Sequence, residues 1–130
     1  MIIIFFHVIV FFQDNLPFVL STYDKSTNAI IIFAPDNRSD LYGKSISRLT
    51  KDPLGLDQRD IVILETFTTG GLGPGGESLS EEQAASIRQY YNINGGEFSE
   101  ILVTRNFKEI YKSDIPIEIK EVFRNFDLVE

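Results

Sequence analysis

The fold is decided by the stretch Asn28-Ala-Ile-Ile-Ile-Phe-Ala-Pro-Asp-Asn-Arg38. Its run of large apolar residues, Ile30 to Phe33, is β-branched or aromatic, which predicts a strand buried on both faces of a parallel sheet. Pro35 cannot donate a ladder hydrogen bond and disfavours helical geometry in the residue before it, so we expect the strand to end there. Ser39 or Asp40 can then cap a following helix.

Composition limits the kind of protein this can be. A chain of 130 residues with 43% hydrophobic residues is long enough for one domain with its own core. The formal net charge of -7 argues against a nucleic-acid binder, which needs a basic surface, and against a protein held on anionic lipid. Cysteine is absent, which excludes disulfides, thiolate metal sites and thiol-based redox chemistry.

The N-terminal segment from Ile2 to Phe12 is apolar except for His7. It is too short to span a bilayer but fits the hydrophobic region of a secretory signal. No Lys or Arg precedes it and no small-x-small site follows, so a strand of the folded domain and a mis-assigned start remain alternatives. We expect residues 1–13 to be a signal, 14–27 a lead-in and 28–130 the domain. The protein would then be periplasmic or extracellular, without a stable membrane span.

The first strand is followed by a helix and a second buried strand. Leu41 to Lys51 has apolar residues at helical spacing, and Asp60 to Phe67 repeats the doubly buried pattern. Two such strands joined by a helix predict a right-handed parallel βαβ unit. Thr68 to Glu77 contains five glycines and a proline, which predicts a loop.

The second half of the chain predicts a helix, a hairpin and a closing helix. Ser80 and Gln83 form a capping box, with Ser78 and Glu81 as the alternative frame. The remaining predicted features are the end of that helix at Asn94-Gly95-Gly96, strands at Ser99–Thr104 and Lys108–Lys112, and a helix over Ile115–Phe126 capped by Asp114. The order β-α-β-α-β-β-α, with a four-stranded mixed sheet and helices on both faces, predicts an α/β thioredoxin-like fold.

Three segments also resemble a known family. Ala29 to Pro35, Gln58 to Val62 and Phe98 to Lys108 are similar to the thioredoxin-like proteins grouped as domain of unknown function 4174. The resemblance covers roughly Asn28 to Glu130. It implies a thioredoxin-like fold and an exported protein with no established activity.

The predicted ligand-binding site follows the first strand. In redox-active thioredoxin-like proteins the dithiol lies between the first strand and first helix. Here those positions hold Asp36, Asn37, Arg38, Ser39 and Asp40, and Glu97-Phe98 occupies the place of the usual cis-proline. Redox catalysis is therefore not expected. Because ligands gather at the carboxyl ends of parallel strands and at helix N-termini, we predict a ligand-binding site at Asp36–Asp40 with Phe98.

Two other motifs have simpler interpretations. Gly71 to Gly76 matches G-x-G-x-x-G, but Pro74 removes an amide, Glu77 repels phosphate and the helix begins only near Glu81. We therefore expect a flexible surface loop and no nucleotide. The oxygens of Asp36, Asn37 and Asp40 suit a hard cation, yet capping and turn roles explain them equally well. No catalytic residue, metal or cofactor is predicted.

Two functions remain open at this point. The first is a non-catalytic exported module that binds an unknown protein or small-molecule ligand through the first loop and the glycine-rich loop. The alternative is a thiol-independent enzyme that uses carboxylates around Asp36, Asp40 and Glu97 as acid and base. A deep pocket lined by two of these carboxylates would favour the enzyme, and a shallow solvated surface would favour binding.

Overall fold

A computed structural model describes residues 16–129, so the predicted signal at residues 1–13 lies outside the described residues. The helices are α1 (Phe18–Ser21), α2 (Asp40–Leu49), α3 (Pro53–Gln58), α4 (Glu81–Tyr90) and α5 (Ile119–Leu128). The strands are β1 (Asn28–Phe33), β2 (Ile61–Phe67), β3 (Gly70–Leu72), β4 (Ser78–Leu79), β5 (Ser99–Thr104) and β6 (Lys108–Ser113), with a short 3₁₀ turn at Arg105–Phe107 between the last two.

The strands form one sheet in the order β4-β3-β2-β1-β5-β6. β1 and β2 are parallel neighbours at its centre, with Ile30 opposite Ile63, and every other pairing is antiparallel. All six residues of β1 are buried. The predicted parallel pair at the middle of a thioredoxin-like sheet is therefore confirmed.

Both faces of the sheet are covered, as predicted. Ile30 and Ile32 point to the face covered by α2, α3 and α5, where they share a core with Phe126. Ile31 and Phe33 point to the other face and pack with residues of α1 and α4. The alternation of side chains along a strand thus places consecutive apolar residues in two separate cores, which explains the unbroken apolar run of β1.

The prediction of four strands is wrong, because the stretch assigned to a loop contributes a hairpin. β3 pairs with β2, and β4 pairs with β3. A Cβ at Gly71 would collide with the Glu65 carbonyl oxygen, so only glycine allows this close pairing. The Gly73 N–H donates to the Glu77 carbonyl at 2.8 Å and closes the turn. The glycines that indicated a flexible loop are what permit the strands to approach.

Two short helices were not predicted. α1 lies within the segment that the sequence indicated as a lead-in. α3 begins at the Asp52-Pro53 pair that was predicted only to end α2. The Asp52 side chain accepts a hydrogen bond from the Gly55 N–H at 2.9 Å, and Pro53 occupies the first helical position, where its missing N–H costs nothing. The Asp52-Pro53 pair therefore follows the end of α2 and also begins α3.

The predicted helix caps are partly correct. Ser39 caps α2, and Ser80 with Gln83 forms the capping box of α4. The predicted start of the closing helix at Ile115 with an Asp114 cap is wrong. α5 begins at Ile119, because the Pro116 carbonyl accepts a hydrogen bond from Arg48 and the Ile117 N–H donates one to Glu100, which holds this segment outside the helix. α4 ends at Tyr90, before the predicted Asn94-Gly95-Gly96 stop, since Asn92 already has a left-handed φ of 59°.

Candidate functional site

The first loop connects β1 to α2 and is held by its own polar side chains. The Asp36 Oδ1 accepts a hydrogen bond from the Arg38 N–H at 2.8 Å, which forms a tight turn. The Ser39 hydroxyl accepts one from the Tyr42 N–H at 3.1 Å and caps α2. The side chains of Asp36 and Ser39 therefore maintain the loop, while Asn37, Arg38 and Asp40 are exposed to solvent.

A shallow groove of about 570 Å³ runs from the first loop along the exposed face of α2; we call it the α2 groove. It is lined by Asn37, Arg38, Ser39, Asp40, Gly43, Lys44, Ser47, Arg48 and Lys51. Four of the 12 Lys and Arg residues of the chain line this groove, and Asp40 is the one acid among the lining residues. A locally positive surface thus interrupts a molecule whose formal net charge is -7.

The predicted site residues are only partly brought together. Asn37, Arg38, Ser39 and Asp40 line the α2 groove, whereas Asp36 adjoins it through the turn. Phe98 does not line the groove; its half-buried ring packs against the core beneath α2. Phe98 is thus positioned as a packing residue.

The glycine-rich loop does not join the first loop at this groove, because none of its residues is among the lining. Only its first residue lies nearby, where the Thr68 N–H donates to the Pro35 carbonyl at 3.2 Å. Its turn instead borders a separate cavity of about 270 Å³, together with Tyr23 and Phe107. The two loops that the sequence combined into one binding surface therefore belong to two places on the molecule.

The inner end of the groove is fixed by Arg48. Its guanidinium donates to the Pro116 carbonyl at 2.8 Å and forms an ion pair with the Glu118 carboxylate at 3.2 Å. These contacts tie α2 to the segment that precedes α5. Because the side chain of Glu118 is 62% exposed, the pair contributes mainly to position and little to stability.

Beneath α2 lies a buried carboxyl group that the sequence analysis did not single out. Glu100 is fully buried on β5, and its Oε1 accepts hydrogen bonds from the Ser45 hydroxyl at 2.7 Å and the Ile117 N–H at 3.3 Å. Its Oε2 has no partner among the described residues. Burial raises the pKa of Glu100 to about 7, against the opposing effect of these hydrogen bonds and of the charge on Arg48. The sequence feature that could have identified Glu100 is its position inside the predicted apolar strand that became β5.

A second carboxylate meets the same helix. The Tyr42 hydroxyl donates a hydrogen bond to Glu65 Oε1 on β2, and the Tyr42 ring packs edge-on against Phe67. Burial first, and then this hydrogen bond, raise the pKa of Tyr42 above its ordinary range. Glu65 and Glu100 both lie opposite Ile32 in the sheet register, one on each side of β1. The two carboxyl groups therefore hold α2 from below and do not open into the groove.

The carboxylates that would serve an enzyme are not assembled here. Asp36, Asp40 and Glu97 are all exposed, and only Asp40 lines the groove. Within residues 16–129, no three side chains of His, Cys, Asp or Glu group as metal ligands. None of the described helices is long and apolar enough to cross a membrane.

A more enclosed cavity of about 270 Å³ lies at the opposite end of the sheet, beside Asn28, Asp60 and Arg105. The guanidinium of Arg59 in its wall is already forked onto the Asp127 carboxylate, at 3.0 and 3.1 Å. That charge is therefore used within the fold.

Comparisons with known proteins agree with this fold. Among solved structures, the chain is similar to a reduced 2-Cys peroxiredoxin from Plasmodium vivax, with a TM-score of 0.62 and 17% identity over 85% of this chain and 81% of that one. It is also similar to thioredoxin peroxidase I from Plasmodium yoelii, with a TM-score of 0.62 and 16% identity over 85% and 76%. A third similar structure is AhpC from Mycobacterium tuberculosis, with a TM-score of 0.59 and 14% identity over 84% of this chain and 76% of that one. At these identities the likeness establishes the fold alone.

Sequence families give a more specific result. No curated protein matched the chain. The model of one family, described as a domain of unknown function (DUF4174), matches residues 19–130. The match begins within α1, earlier than the Asn28 expected from the sequence, so residues 19–27 of the predicted lead-in fall inside the family model. The chain is therefore a member of the DUF4174 family, with a thioredoxin-like fold.

Proposed function

We propose that this protein is a non-redox thioredoxin-like binding module that binds a partner at the α2 groove. The observation that carries the proposal is the solvent-exposed groove at the first loop, where a redox-active relative would hold its dithiol. The chain has no cysteine with which to exchange disulfides. What the position offers instead is an arginine, an amide and exposed lysines, which are recognition groups.

The shape of the groove supports binding over catalysis. An active site usually encloses its substrate and brings titratable groups together in a water-poor pocket. The α2 groove is open, and Asp40 is the one carboxylate in its lining. The carboxylate-based enzyme that the sequence left open would need at least two such groups around one enclosed space.

The proposal includes export. Residues 1–13 would act as a secretory signal, and the mature domain would work in the periplasm or outside the cell. The support is the apolar, uncharged run of Ile2 to Phe12, which fits the hydrophobic region of a secretory signal.

Site-specific photo-crosslinking tests the proposal. A photoreactive amino acid replaces Ser47 in the groove, and a matched protein carries it at the exposed Glu82 on α4. Each protein is irradiated with an envelope fraction from the native host. We expect a discrete crosslinked product from position 47 that weakens in an Arg38→Ala background. No product at position 47, or the same products from both positions, would contradict a binding site in the groove.

A further inference from the structure

The charges and the shape of the α2 groove indicate what it binds. We propose that the α2 groove binds an extended acidic segment of a partner polypeptide, which lies along α2 with Gly43 as the floor of the groove. This inference rests on the proposed function and names the chemistry of the partner.

The positive charges of the groove follow one line. Lys44 and Arg48 stand one turn apart on the same face of α2, and Lys51, two residues beyond the end of the helix at Leu49, lines the same groove. Arg38 extends the line beyond the N-terminus of the helix. Within residues 16–129, neither Lys44 nor Lys51 forms an ion pair. Side chains on one face of an extended peptide recur about every 7 Å, so two or three acidic residues can meet this row.

Gly43 gives the groove its floor. A Cβ built at this position would meet nothing within 4 Å, so the protein itself has no steric need for glycine there. Glycine is unfavourable inside a helix relative to alanine, and no turn or positive φ requires it at Gly43. A residue that weakens its own helix and leaves open space on a charged face suits the close approach of another chain.

The fold already places one carboxylate on this face. Glu118, from the segment before α5, reaches Arg48 at 3.2 Å at the inner end of the groove. Its side chain is 62% exposed, so the pair lies open to solvent and to a competing carboxylate. This intramolecular contact shows that Arg48 is accessible to a carboxylate from a neighbouring segment of polypeptide.

The negative charge on the rest of the molecule favours a peptide over larger polyanions as the ligand of the groove. The net charge of -7 repels any extended anionic surface that must approach the whole protein, such as a duplex or a bilayer. A narrow peptide that meets only the α2 groove is affected chiefly by charges within the screening length, about 8 Å at physiological salt. Four cations line the groove, against Asp40 in the lining and the adjoining carboxylates of Asp36 and Glu118.

The test uses a synthetic peptide with glutamate at alternate positions, and a control peptide with glutamine in their place. Nuclear magnetic resonance titration of the protein with each peptide reports the binding surface and the affinity. We expect the acidic peptide to shift the amides of Lys44, Ser47 and Lys51, and the control peptide to leave them unchanged. Lys44→Gln should weaken binding about three- to fivefold and flatten its salt dependence, whereas Lys120→Gln on α5 should not.

The decisive variant is Gly43→Gln, which adds a good helix former whose Cβ meets no atom within 4 Å and whose side chain is long enough to occupy the groove. We expect it to fold at least as stably as the native chain and to bind the acidic peptide about tenfold more weakly. Ala85→Gln on the exposed face of α4 is the matched control and should bind normally. Unchanged binding by Gly43→Gln, or no binding of the acidic peptide to the native chain, would overturn the inference.

Two further titrations test whether the groove prefers a polyanion other than an acidic peptide. Single-stranded DNA and phosphatidylglycerol vesicles are titrated under the same conditions, and stronger binding to either one would also overturn the inference. Failure here can be told apart from failure of the proposed function. If the crosslink at Ser47 captures a neutral or basic partner, the groove is a binding site and only its acidic preference is wrong.

Discussion

The Ser45 hydroxyl donates a hydrogen bond of 2.7 Å to the Glu100 carboxyl group, and so joins α2 to the buried centre of β5. This glutamate is fully buried, and its second oxygen has no partner among the described residues. The pair lies directly under the helix that carries the α2 groove, so its protonation state bears on the stability of that helix.

The first prediction concerns the pH dependence of stability. The pKa of Glu100 is about 7 in the folded protein, against 4.5 for an ordinary glutamate. Between these values the folded state binds the proton and the unfolded state releases it, so this group lowers the free energy of unfolding as pH rises. The contribution of Glu100 to the free energy of unfolding should be lower at pH 8.5 than at pH 4 by about 3 kcal/mol. Glu100→Gln should remove it, because an amide does not titrate.

Urea denaturation of both proteins at pH 5 and pH 8.5 measures this effect. The difference between native and variant chains isolates Glu100, since the other titrating groups are common to both. Parallel pH profiles would show that the buried carboxyl does not govern this dependence.

The second prediction compares two phenylalanines of α5. The ring of Phe123 is half-buried under the Arg59 guanidinium, whose central carbon lies 4.0 Å from the ring centre. Phe126 is only 1% exposed. Phe126→Ala should therefore cost about 3–5 kcal/mol of unfolding free energy, and Phe123→Ala clearly less. Denaturation midpoints measure both changes, and an equal or reversed order would mean that α5 is docked differently.

The third prediction contrasts two glycines. Gly43→Ala should raise the free energy of unfolding by about 0.5–1 kcal/mol, because alanine favours the helix and its Cβ meets no atom within 4 Å. Gly71→Ala should destabilise the protein, because its Cβ would collide with the Glu65 carbonyl oxygen. Thermal melts of the two variants should shift in opposite directions. A destabilised Gly43→Ala protein would show that Gly43 has a role within the fold.

The fourth prediction concerns redox activity. The purified protein should neither reduce insulin disulfides nor refold a protein with scrambled disulfides, because it contains no cysteine. Activity above buffer, in a preparation free of contaminating oxidoreductases, would contradict this.

The fifth prediction concerns the N-terminus. We expect protein recovered from the native host to lack about the first dozen residues, as a secretory signal of this length is removed on export. Mass spectrometry of the intact protein measures this directly. Soluble protein that retains Met1 would show that the apolar segment belongs to the mature chain.

The central architecture could be predicted because it depends on local patterns. The apolar runs of β1 and β2 and the capping box at Ser80 each carry their own signal over a few residues. The hairpin of β3 and β4 could not, because glycines that allow close strand pairing have the same composition as a loop. The start of α5 could not be predicted either, because the apolar spacing continues back to Ile115 while contacts with Arg48 and Glu100, distant in sequence, hold Pro116 and Ile117 outside the helix.

The candidate site was predictable only at its first loop. Asn37, Arg38 and Asp40 were found because a strand end and a helix N-terminus mark that place in the chain. Lys44 lies on the outer face of α2 and Lys51 just beyond its end, where exposed cations usually have no role beyond solvation. Glu100 acquires its environment from Ser45 and Ile117, which are distant in sequence. Tertiary contacts of this kind have no local signature.

The anchoring of α2 has a consequence for how association would proceed. Tyr42 and Ser45, one turn apart, bond Glu65 and Glu100 on strands that flank β1. A helix braced at two points on either side of a central strand cannot roll or slide without breaking a buried contact. The helix that forms the groove is therefore already in place in the unbound protein. Most of the conformational entropy lost on binding is then lost by the partner segment. A partner segment already held straight by its own fold would bind more tightly than the same residues in a flexible tail.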